Sequence, residues 1–171
     1  MLQYFKIGKF VSSYGLAGEL LLAHKLGKKT ALKGLKTLFL EEGKNSFLPY
    51  FIENAVAKND EEILVKLEGI HSKETAKKIT SKEVWLAEND FKKFAAKAAP
   101  ISMLGFTLFD GKNSLGEITE VIEQPHQLLY SILYKKNHAY IPVHEHNLIK
   151  VDNAARKVYV TLPPGLLEIY E

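Results

Sequence analysis

The sequence predicts an all-β protein of two small domains joined by a short, partly helical segment. Three observations predict it. Apolar and polar residues alternate in short runs separated by turn residues, the pattern of half-buried strands in a sandwich or barrel. An alanine- and lysine-rich stretch, "NDFKKFAAKAA" (89–99), runs into Pro100. The charge changes sign there: residues 1–88 hold fourteen lysines against eleven acids, residues 89–100 three lysines against Asp90, and residues 101–171 six basic residues against eight acids.

Taken along the chain, "IGKFVSSYGLAGELLL" (7–22) reads as strand, turn, strand. Gly15 and Gly18 lie three apart and Glu19 follows at once. A G-x-x-G spacing can cradle phosphate, because glycine lets backbone N–H groups approach an anion. The alternative is a tight turn that needs positive φ, with Glu19 fixing the turn or meeting a partner. Phosphate loops of the KH kind join two helices, and a P-loop needs Gly-Lys-Ser/Thr opening a helix; neither context fits here. "HKLGKKTALKGLK" (24–36) follows, with Lys25, Lys28, Lys29, Lys33 and Lys36 and no acid. Such a loop is either a phosphate-binding surface or a solvated loop with no partner.

"EILVKLEGI" (62–70) alternates cleanly, with Ile63, Val65 and Leu67 on one face. "SKETAKKI" (72–79) begins with a good cap residue and carries Glu74 in its first turn, as a helix prefers. In 89–99, Asn89 or Asp90 can cap a second helix, and Phe91, Phe94 and Ala98 fall on one face. These side chains either anchor a partner or pack on a neighbouring barrel. "MLGFTLFD" (103–110), "LLYSILYK" (128–135) and "KVYVTL" (157–162) are strands of the second domain, and Glu117, Glu120 and Glu123 suit an outer strand face.

Chemistry-bearing clusters are few. The chain has no cysteine, which removes disulfides and Cys-ligated metals. His144-Glu145-His146 puts two imidazoles on one strand face, but further ligands could come only from Asp152, His126 or His138. No nucleophile–His–acid order or carboxylate pair stands out, so no catalytic residue, metal or cofactor is assigned. Only one of 23 basic residues is an arginine, Arg156. Lysine is a flexible point charge, so contact with RNA would be to backbone rather than base edges; a lysine-favouring base composition gives the same bias. The start "MLQYFKIGKF" has no signal-peptide core and no run is long enough to span a bilayer, so the expectation is a cytoplasmic protein away from membranes.

In order and spacing, several stretches resemble the RimM family of bacterial ribosome maturation factors. They are "YFKIGKFVSSYGLAGELLL" (4–22), "VKLEGIHSKETAKKITSKEVWL" (65–86), "LGFTLFD" with "SLGEITEVIE", and "AYIPVHEHNLIKVDNAARKVYVTLPPGLLEIYE" (139–171). The most specific pieces are Ile141-Pro142, Ile149-x-Val151-Asp152 and Leu162-Pro163-x-Gly165-Leu166-Leu167. The resemblance implies a translation-factor-like β-barrel over 1–87, a linker over 88–100 and a PRC barrel over 101–171. It implies a monomeric, non-enzymatic factor for assembly of the small-subunit head and rRNA processing. Its partners would be the nineteenth small-subunit ribosomal protein and nearby rRNA. The rivals are a PRC-barrel module of another complex and an rRNA-modifying enzyme. Family members carry an adjacent tyrosine pair tied to ribosomal-protein binding; here those places fall on Ala98 and Ala99. Phe91, Phe94 and Ile101 are the nearest apolar replacements and are expected to hold the protein partner. Lys25, Lys28, Lys29, Lys33 and Lys36 are expected to hold RNA.

Overall fold

A computed structural model describes residues 3–171. The chain divides into two units, residues 1–102 and 103–171, passing from one to the other within a 3-10 turn over Pro100–Met103.

The first unit is a closed six-stranded barrel. Its strands are β1 (Tyr4–Tyr14), β2 (Glu19–His24), β3 (Thr37–Gly43), β4 (Ser46–Ala57), β5 (Glu62–Leu67) and β6 (Glu83–Ala87). They close in the order β1-β2-β5-β4-β3-β6. The barrel interior follows from alternation, with a register shift in β1 between Lys6 and Gly8 that sets Phe10 three residues after Ile7. Phe5, Ile7 and Phe10, Leu20 and Leu22, Leu38 and Leu40, Ile63, Val65 and Leu67, and Val84 and Leu86 all point inward and are buried. Each such side chain contributes on the order of 1.5–3 kcal/mol of transfer free energy. Helix α1 (Lys73–Lys77) forms where expected: Ser72 caps it, its hydroxyl accepting from the Thr75 N–H at 3.1 Å.

Helix α2 (Glu88–Phe94) is shorter than the alanine content suggests and is capped at Ala87 without a side-chain bond, not by Asn89 or Asp90. The chain turns extended at Ala95 (ψ 131), leaving Ala98 beyond the helix. The segment 88–100 groups with the barrel instead of standing apart as a linker. Phe91 is 3% exposed, its ring 4.9 Å from that of Phe5, and the Ala96 N–H donates to the Leu26 carbonyl at 2.8 Å.

The second unit is a six-stranded sheet. It comprises β7 (Thr107–Asp110), β8 (Asn113–Gln124), β9 (Gln127–Tyr134), β10 (Asn137–Val143), β11 (Leu148–Asp152) and β12 (Lys157–Val160), in the order β10-β9-β8-β7-β12-β11. Only β12 and β7 run parallel. Leu108, Ile118, Ile132, Ile141, Val158 and Val160 fill its core. Residues 103–106, read from sequence as the start of β7, lie before that strand, with Met103 in the 3-10 turn. Asn147 shapes the corner between β10 and β11: its Oδ1 accepts from His144 N–H and its Nδ2 donates to Pro142 O, both at 2.8 Å.

The glycine pair is resolved in the β1–β2 turn. Both residues have positive φ, Gly15 at 67° and Gly18 at 89°. They differ in surroundings. A Cβ on Gly18 would lie 2.5 Å from the Ile70 carbonyl oxygen, whereas one on Gly15 meets nothing within 4 Å. Any side chain at position 18 would thus meet the Ile70 backbone, and Gly18 serves packing. Glu19 opens β2 opposite Tyr14, and its carboxylate has no partner among the described residues, so it does not fix the turn by a side-chain bond. Gly15→Ala is expected to cost about 1 kcal/mol and Gly18→Ala about twice that or more, read as unfolding free energies from urea titration. Equal costs would contradict the packing role.

Candidate nucleic-acid interface

The segment 25–36 has no regular secondary structure yet is firmly placed. Leu26, Leu32 and Leu35 are buried, while the five lysines between and beside them are exposed. Local bonds hold the path: the Leu32 N–H donates to Thr30 Oγ1 (3.0 Å), Leu35 N–H to Leu32 O (2.9 Å) and Ile52 N–H to Lys36 O (2.9 Å). Leu32 takes φ +52 to make the turn. Sequence reasoning saw the lysines and missed the leucines that anchor them; a leucine at 26, 32 and 35 in a lysine-rich run was the available signal.

The five lysines are not equivalent. Lys25 Nζ lies 3.5 Å from Glu61 Oε1, so a carboxylate offsets its charge. Lys28, Lys29, Lys33 and Lys36 have no ion-pair partner among the described residues. The cleft beside Lys25 and Lys29 also carries Lys9, Lys58, Asp60, Glu61 and Glu62. Its charges are mixed, with Lys58 and Glu62 3.9 Å apart, which suits it poorly to a polyanion.

His24 closes the end of β2 under this segment. It is 1% exposed; its Nδ1 accepts from the Leu26 N–H at 3.2 Å, and its Nε2 is buried without a hydrogen-bond partner. Burial holds its pKa below the ordinary value, with Glu61 opposing and Lys25 adding to the effect. The native state therefore resists a proton that the unfolded chain accepts. Stability is expected to fall as pH drops through about 6.5, the unfolded value, and to level off below the depressed native one. Asn can supply an acceptor in place of Nδ1 without titrating. Thermal melts of the His24→Asn variant should accordingly show a shallower decline between pH 7 and pH 5 than the parent; parallel declines would exclude His24 as the source.

Two of the three expected protein anchors are unavailable. Phe91 packs in the first unit against Phe5, and Ile101 is 6% exposed. Phe94 is half-buried. Of the face that the spacing marks, Phe91 alone lies in the core, and Ala98 is exposed beyond the helix end. His144 and His146 have ring centroids 5.9 Å apart, and no group of three or more potential metal ligands gathers among the described residues. None of the helices among those residues is long and apolar enough to cross a membrane.

One surface of the barrel has no counterpart in the sequence reading. On the outer face, Phe39 lies between Trp85 of β6 and Pro49 of β4. Tyr4 is 4.7 Å from Phe39 and 4.6 Å from Phe47, and Phe47 is 5.0 Å from Trp85, between ring centroids. Phe51, next on the same face, is 50% exposed. No residue of β4 is buried, although nine of its twelve residues are apolar.

The sequence model of the RimM N-terminal domain family matches residues 5–91, and that of the RimM PRC barrel domain matches residues 100–166. A protein named ribosome maturation factor RimM from Parabacteroides distasonis is 32% identical over 171 residues, covering 98% of this chain and 97% of that one. Another of the same name from Flavobacterium johnsoniae is 26% identical, covering 97% and 96%. A crystal structure of a RimM protein from Pseudomonas aeruginosa aligns over 94% of this chain and 98% of that one, at 18% identity and a TM-score of 0.43.

Proposed function

This chain belongs to the RimM family of ribosome maturation factors, and we propose on that premise that it acts without catalysis in assembling the head of the small ribosomal subunit. It does so by holding the nineteenth small-subunit ribosomal protein and nearby rRNA during rRNA processing, as a monomer in the cytoplasm. The observation that carries the RNA half is the 25–36 segment, where four exposed lysines without ion-pair partners are presented on a path pinned by buried leucines. A pre-ordered cationic surface meets phosphate without first losing loop entropy.

The protein half rests on charge and on exposed side chains. Ribosomal proteins are generally basic, and residues 101–171 carry the chain's net negative charge, so long-range attraction favours that unit. With Phe91 and Ile101 committed to the interior, the apolar anchors a stable complex needs must come from elsewhere. Leu133, Tyr140 and Ile149 of the second unit are large and exposed. Capture of immature small subunits on the immobilised full chain tests the reading; recovery of none contradicts it.

A further inference from the structure

We propose that the outer aromatic face of the first barrel, centred on Phe51 of β4, is a stacking platform for unpaired bases of an RNA strand whose phosphates lie on Lys33 and Lys36. This rests on the proposed RNA-binding role of the 25–36 segment and adds what that segment touches and in which form. Three features carry it. The first is the exposure of β4 itself: the strand is hydrogen-bonded to β3 and β5 on either side, yet none of its apolar side chains is buried. Isolated exposed apolar residues are ordinary, but Phe47, Pro49 and Phe51 share the outer face of the strand, with Pro49 and Phe51 both exposed, and such a row marks an interaction surface.

The second is the chemistry of the face. Tyr4, Phe39, Phe47 and Trp85 are packed ring to ring; Pro49 lies across the ladder from Phe39, and Phe51 follows two residues on along the same face, both of them exposed. Bases stack on such rings whatever their identity, because each has a π-face.

The third is charge. Lys36 precedes Thr37, whose partner across the ladder is Phe51, and the Lys36 carbonyl accepts from Ile52 N–H at 2.9 Å. The lysine segment therefore runs directly into the aromatic face. A ligand with both negative charge and flat apolar faces fits this pairing, and single-stranded RNA has both. A basic protein would be repelled by the lysines, and a second copy would bring its own lysines to the same edge.

The chain's single tryptophan, Trp85, sits within the cluster and reports on it. In the full chain, an oligoadenylate of about twelve nucleotides should quench Trp85 fluorescence, and Phe51→Ala should weaken its binding about tenfold. An RNA duplex of similar length, whose bases are already stacked, should bind Phe51→Ala and the parent alike. Phe51→Leu keeps apolar area without a π-face and should behave as Phe51→Ala does. Unchanged oligoadenylate affinity in Phe51→Ala overturns the proposal, as does equal loss on the duplex or full rescue by Leu. Loss of ribosomal-protein capture or of self-association, with oligoadenylate binding intact, also overturns it and assigns the face to a protein. Failure of the lysine role is read separately: removing the lysines would then leave binding to immature subunits unchanged, whatever Phe51 does.

Discussion

Replacing Lys28, Lys29, Lys33 and Lys36 with glutamine is expected to flatten the salt dependence of binding to immature small subunits. Each phosphate contact releases a condensed counterion, adding roughly 0.7–0.9 to the slope of log affinity against log salt. Four contacts thus account for a slope of about 3, or an affinity loss of about sixtyfold between 50 and 200 mM salt that the variant escapes. At low salt the variant should bind far more weakly than the parent, and the two should converge as salt rises. The substitutions fall on exposed side chains, so unfolding stability should change by no more than about 0.5 kcal/mol per site. Lys25 is left in place because Glu61 already offsets it. Titration of binding against salt for the parent and the variant reads the effect; parallel slopes would remove the segment from the interface.

Phe91→Ala is expected to have the largest effect on stability. The ring is buried against Phe5, and removing it leaves a cavity that β1 and β6 can fill only in part. Such truncations cost about 3–5 kcal/mol. In a unit of this size that lowers the melting temperature by roughly 15 °C or more. Phe94→Ala, at a half-buried position, should cost about 1 kcal/mol. Ribosomal-protein binding by the folded fraction of Phe91→Ala should match the parent. Weakened binding with an unchanged melt would return Phe91 to the docking surface and contradict its place in the core.

These two residues mark where sequence stops short of structure. The alternation in 62–70 gave β5 to within a few residues, because one of its faces lies wholly inside the barrel. Ser72 announced α1 because capping is a local interaction. In both cases the cause lies within a few residues of the effect. Phe91 differs: its spacing with Phe94 shows an apolar face, but what covers that face is Phe5, near the other end of the barrel's sequence. Strand β4 differs again. A half-buried strand is legible because burial imposes a period of two, and β4 has no buried face to impose one. Its hairpin signal is present: Asn45, at φ +60, turns β3 into β4, and its N–H donates to Glu41 Oε1 at 3.0 Å. Exposure of the lysines was legible from charge alone, whereas the placement of their segment depended on Leu26, Leu32 and Leu35 finding the core.

The proposed role places the chain on the small ribosomal subunit while that subunit is incomplete, held through the lysine segment of its first barrel. Sedimentation of the full chain with purified immature and mature small subunits tests it most directly. The chain is expected to travel with immature subunits at low salt and to be released as salt rises. The variant lacking the four lysines is expected to stay near the top of the gradient, and mature subunits to retain little of either protein. Parent and variant travelling equally with immature subunits would contradict the role of the lysines, and a parent that stays at the top with both kinds of subunit would contradict the proposed role itself.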